Sequence, residues 1–144
     1  MPNTSEITLV MVDDNADEVF LTRRQVRQSG IVNNFVSEKK PEKLLETLTH
    51  LGTTGVDKSK IMVLLDINMP RLNGFETLKK MRSDREFKDV PVIMLSASDD
   101  ASDMFEAFDL GANGYIVKPF RADEFFAALS NLPQVKYQLI NHAP

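Results

Sequence analysis

Five times along this chain, a short apolar run gives way to a longer segment with apolar residues three and four apart. The short runs fall at residues 7–12, 34–37, 61–65, 90–95 and 114–117. Continuous apolar strands of this length belong in a parallel sheet covered on both faces. The segments between them read as helices. Residues 15–29 carry Val19, Thr22, Arg23 and Val26 at 3/4 spacing, with an Arg-rich outer face, and Gly30 stops the helix. Pro41 opens a second helix through about residue 51, with Leu44, Leu45, Leu48 and Leu51 on one face. Residues 49–60 are polar, hold Gly52 and Gly55, and read as a loop. Residues 68–74 are turn chemistry, and 75–81 form a helix with Phe75, Leu78 and Met81 inward. A fourth helix over 99–110 closes at Gly111, and a fifth runs from 121 to about 132.

Strand and helix alternating five times predicts an α/β fold. Right-handed crossovers make it a doubly wound, five-stranded parallel sheet in a three-layer sandwich. In such sheets ligands bind beyond the carboxyl ends of the strands, where the winding changes direction. For a strand order 2-1-3-4-5, that point lies between the first and third strands.

Composition narrows the function. The 144 residues make one domain, and 42% apolar residues suffice for a core of its own. A net charge of −4 argues against a general nucleic-acid binder. No cysteine is present, which excludes a disulfide scaffold, a cysteine zinc site and a cysteine nucleophile. No signal peptide is visible at the N-terminus, and the longest apolar run, 61–65, is far short of a membrane span. The expectation is a soluble, cytoplasmic chain with no membrane partner. His50 and His142 have no metal-ligand spacing and read as solvated residues.

Chemistry gathers at the strand ends. Strand one ends in Asp13-Asp14, strand three in Asp66, strand four in Ser96 and strand five in Lys118-Pro119. Taken singly, these could be a helix cap, a turn residue or a solvated lysine. Together they put three carboxylates in one crevice, where like charges repel. Lys118 is one counterion, and a hard divalent cation such as Mg²⁺ is another. An aspartate at a strand tip can attack phosphorus and become an acyl phosphate, with cation and ammonium neutralising the phosphoryl oxygens. The Ser96 hydroxyl can donate to one of those oxygens.

The motifs are Val12-Asp13-Asp14-Asn15, residues 64–70 with Gly74, residues 91–97 and residues 111–120. Over about residues 6–132 the chain resembles the receiver domain of two-component response regulators, a flavodoxin-like fold. The Asn-rich first turn, the long loop before strand three and the stretch from Arg82 to Asp89 look like the subfamily that serves cyanobacterial and bacterial phytochromes. The resemblance implies that Asp66 is the phosphoacceptor. It implies that Asp14 holds Mg²⁺ (or Mn²⁺) directly, Asp13 mostly through water, and the Asn68 carbonyl completes the protein ligands. Lys118 would pair with the acceptor and then with the phosphoryl group. Ser96, where many members have Thr, and Tyr115 would be the switch pair, and Pro119 would follow a cis peptide. Asn68 and Ser98 would tune the acyl-phosphate lifetime.

The implied partners are a histidine kinase or phosphotransfer protein upstream and a protein target, or a second copy, downstream. Residues 133–144 are too few to fold alone, so a stand-alone receiver over 1–144 that signals through a surface is expected, not an enzyme acting on other molecules. By resemblance, Phe105, Leu110 and Phe125 point inward. Met104, Phe108, Tyr115 and Phe126 then form the candidate docking or homodimer face. Pulling Ser96 inward would vacate space for Tyr115 to fill from outside, a shift between two packings. Two alternatives remain. A haloacid-dehalogenase-type phosphohydrolase wants Asp-x-Asp after strand one, where this chain has Asn15 in the second place, and it wants a cap. A receiver-like scaffold that never takes phosphate sits poorly with intact Asp13, Asp14, Asp66, Ser96 and Lys118.

Overall fold

In the computed structural model, which describes residues 7–30, 34–69 and 73–130, the short runs are all strands. They are β1 (Thr8–Val12), β2 (Asn34–Glu38), β3 (Ile61–Asp66), β4 (Val92–Ser96) and β5 (Gly114–Val117). All neighbours pair in parallel, in the order β2-β1-β3-β4-β5. The helices are α1 (Ala16–Ser29), α2 (Leu44–Thr53), α3 (Gly74–Ser83), α4 (Ala101–Asp109) and α5 (Ala122–Leu129). No helix among the described residues is long and apolar enough to cross a membrane.

Successive side chains of a strand point to opposite faces, so an all-apolar strand feeds two cores. Leu9, Met11, Met62, Leu64, Ile93, Leu95 and Ile116 pack with Val19 and Val26 of α1 and with Phe125 and Leu129 of α5. Val10, Val12, Val63, Leu65, Val92 and Met94 pack on the other face with Leu44, Leu48, Leu78, Met81 and Ala107. Burying each such side chain is worth about 1.5–3 kcal/mol. β2 and β5 are the edge strands, and β2 is only half-buried.

Three boundaries differ from the sequence expectation. The stretch 49–60 begins as helix, because α2 runs to Thr53. There the Thr49 and Thr53 hydroxyls bond back to the carbonyls of Leu45 and His50. Pro41 opens a 3₁₀ turn, Pro41–Lys43, and α2 starts only after it. The fourth helix starts at Ala101 rather than residue 99, with Asp100 as its cap.

The largest correction is in α4. Phe105 does not point inward; it is 74% exposed. Ala107 is the residue that the helix buries. At about 100° per residue, Phe105 lies roughly 200° round the helix from Ala107, which turns it to solvent. Phe108, about 100° away, is 51% exposed, as expected of the candidate face. Met104 falls on the inner side of that circle and is half-buried. The helix phase follows the small residue that sits closest to the sheet, not the bulkiest ones. In α5 Phe125 is buried as expected, whereas Phe126 is half-buried against the core rather than fully outward. Residues 70–72, His142 and the segment 133–144 lie outside the described residues.

Candidate functional site

Strand register sets the site. Val12 lies opposite Leu65, Asp66 opposite Leu95, and Ser96 opposite Val117. Asp13, Asp66, Ser96 and Lys118 therefore all stand at the carboxyl ends of the adjacent strands β1, β3, β4 and β5, within two register steps of one another. Asp13, Asp66 and Ser96 are buried, and Asp14 is exposed.

The first turn frees the acids from capping work. Asn15, not Asp13 or Asp14, is the cap of α1, and its side chain accepts from the N–H groups of Asp17 and Glu18. Asp13 Oδ1 accepts from Asn15 N at 2.9 Å, while Asp13 Oδ2 is buried with no donor. Asp66 Oδ1 accepts from Asn68 N at 3.1 Å and lies 3.2 Å from Lys118 Nζ. Gly74 stands where α3 presses on this strand end. A Cβ there would come within 2.6 Å of the Asp66 carbonyl oxygen, closer than any side chain tolerates.

Lys118 is presented by a cis Lys118–Pro119 peptide, as the resemblance implies for Pro119. The loop beyond it is tied to α1 by Gln25, which donates to the Phe120 carbonyl and accepts from Ala122 N. The lysine also reaches Glu18 Oε2 at 2.9 Å, closer than its contact with Asp66. Glu18 is not among the residues that the sequence singles out. A glutamate three residues into a helix ordinarily reaches back to the cap's N–H. Here Asp13 takes that N–H, and Glu18 turns to the lysine. The signal was present as Asn15 followed by Glu18, but it reads as a capping box until Asp13 is seen to replace the glutamate.

The electrostatics follow from burial. Asp13 is pushed up to about 8, first by burial and then by Glu18. Burial also raises Asp66, against the pull of Lys118. Glu18 is lowered, chiefly by Asp13 and then by Lys118. Burial draws Lys118 down, but Glu18 and Asp66 outweigh it, and the ammonium is held above its ordinary value. Carboxylate oxygens of Asp13, Glu18 and Asp66 come within 4.8 Å of one another. Hard oxygen donors this close, one of them a buried oxygen without a donor, fit a divalent cation. Asp14 stands outside that group of three.

Ser96 and Tyr115 are joined through the backbone of one residue, Ser98. Ser98 N donates to Ser96 Oγ at 3.0 Å, and Tyr115 Oη donates to the Ser98 carbonyl at 2.9 Å. Tyr115 is already half-buried against the core on the α2–α3–α4 side.

An aspartate at the tip of a central strand, a buried lysine on it and an acidic notch beside it, on a 2-1-3-4-5 sheet, define a receiver-type domain. The response regulator receiver domain family matches residues 9–130, and the chain belongs to that family. Two solved bacteriophytochrome response regulators are similar throughout. AtBRR is 27% identical with a TM-score of 0.76, over 91% of this chain and 94% of that one. RtBRR is 26% identical with a TM-score of 0.74, over 94% of this chain and 90% of that one. The uncharacterized transcriptional regulatory protein YkoG of Bacillus subtilis is 38% identical over 87 residues, 58% of this chain and 37% of that protein. The chain thus spans well under half the length of that relative.

Proposed function

We propose that the protein accepts a phosphoryl group on Asp66 from a histidine kinase or phosphotransfer protein, in a reaction that needs Mg²⁺ or Mn²⁺. The observation that carries this is the Asp66 carboxylate at the tip of β3, buried, with Lys118 Nζ at 3.2 Å. An Asp66 oxygen attacks phosphorus, the bond from phosphorus to the donor's imidazole nitrogen breaks, and the imidazole keeps the electron pair. Lys118 then pairs with a phosphoryl oxygen. A bound divalent cation would neutralise charge on the phosphoryl oxygens; Asp13 and Asp66 of the acidic cluster would hold it, with the exposed Asp14 and the Asn68 carbonyl as the further ligands that the resemblance implies. Water returns the aspartate by attacking the acyl phosphate, so the chemistry is confined to this chain's own side chain and is not turnover of a foreign ester.

A recess of about 440 Å³, lined by Leu21, Gln25, Pro119 and Phe120, opens beside Lys118 and suits an apolar rim of the donor protein. Output begins at Ser96. Its oxygen accepts from Ser98 N, and its O–H is available to a phosphoryl oxygen. A shift of Ser96 towards that oxygen moves Ser98, and through the Ser98 carbonyl it moves Tyr115. The face of Phe108 and Tyr115, with Met104 and Phe126 at its half-buried margins, then signals to a cytoplasmic target protein or a second copy.

A small phosphodonor with Mg²⁺ should place a phosphoryl adduct on the wild-type chain, seen by intact mass. Omitting the cation or introducing Asp66→Asn should abolish it. A wild-type chain without adduct under donor excess overturns the proposal.

A further inference from the structure

Glu18 has no part in the chemistry derived so far, yet it faces the centre of the site. Its Oε2 lies 2.9 Å from Lys118 Nζ, and the carboxylate is one of three that approach within 4.8 Å of each other. Lys118 is the one ammonium that reaches them among the described residues, so Asp13, Glu18 and Asp66 leave an excess of negative charge when ionised. A second observation points to a ligand independently. Asp13 is fully buried, and its Oδ2 finds no hydrogen-bond donor. A buried acceptor left bare is costly unless a cation serves it. Glu18 is also released from the role its position would give it, because Asp13 has taken the cap's N–H.

We propose that Glu18 is an additional acidic member of the divalent-cation site, acting from α1 to raise cation affinity while it holds Lys118 beside Asp66. One carboxylate serves both ends: it holds the ammonium through Oε2 and also faces Asp13, where a bound cation would take the place of a shared proton. Of the two acids in the first turn of α1, only Glu18 joins the cluster; Asp17 is exposed and is not part of it. This inference rests on the phosphoacceptor reading above.

The test is calorimetric titration of Mg²⁺ into the full chain, with Mn²⁺ as a second probe. Glu18→Gln should weaken binding roughly tenfold, the scale of a lost supporting ligand. Asp17→Asn removes the same charge from the same helix turn and should stay within twofold of wild type. Thermal unfolding of Glu18→Gln checks that the fold persists. If Glu18→Gln binds Mg²⁺ as wild type does, or Asp17→Asn loses as much as Glu18→Gln, the proposal falls and the phosphoacceptor reading stands. If the wild-type chain binds neither cation, both fall.

Discussion

Asp13 is a buried carboxylate with one oxygen bonded and the other bare. Its value in the folded chain, about 8, lies above the ordinary carboxylate value. Such a group stabilises the metal-free fold most at acid pH, below its unfolded value, and that contribution is lost as pH rises towards 8. Divalent cation should therefore raise the melting temperature more at pH 8 than at pH 5, as calorimetry can read. At pH 8 and above, where Asp13 ionises, Asp13→Asn removes a buried charge and should stabilise the metal-free chain by about 1 kcal/mol, or roughly 3 °C at this size. At the same time it should weaken cation binding. A metal-free melting temperature that fell would contradict this account. Gly74 constrains the site from the other side. Gly74→Ala drives a Cβ into the Asp66 backbone, so a loss of about 1–3 kcal/mol is expected in urea unfolding, with slower phosphoryl uptake.

At the scale of elements, the site depends on side chains that tie one segment to the next. Arg82, near the end of α3, donates to the carbonyls of Lys88, Val90 and Gly111 and to Asn113 Oδ1. That one guanidinium holds the α3–β4 connection against the turn between α4 and β5. Gly111 fits there because its φ is +104° and the Arg82 side chain packs where a Cβ would lie. A lysine cannot supply the same fork of donors. Arg82→Lys should cost about 2–4 kcal/mol in urea unfolding, because several carbonyls lose charged donors. A change below about 0.5 kcal/mol, the level of an ordinary surface substitution, would show the fork to be dispensable. Gln25 makes the corresponding tie between α1 and the loop that carries Lys118.

At the scale of the whole molecule, the surfaces proposed for the donor and for output lie on different elements. The recess at Leu21 and Pro119 adjoins Lys118, whereas Phe105 and Phe108 stand exposed on α4. Phe108→Glu should weaken self-association or target capture, measured by sedimentation and pull-down, and leave phosphoryl uptake at Asp66 unchanged. Unaltered sedimentation and capture would remove Phe108 from the output surface.

Strand content and the placing of Asp13, Asp66, Ser96 and Lys118 at strand ends were legible in the chain itself, while the order 2-1-3-4-5 that brings them together was implied by the resemblance. The first two depend on local periodicity and on where an apolar run stops. Glu18 and the orientation of Phe105 were not legible, because each is decided by what another segment has already done. Asp13 takes the N–H that a capping glutamate would use, and Ala107 takes the place at the sheet that sends Phe105 to solvent. Competition of this kind, between groups for one donor or one packing space, exists only once the segments are assembled.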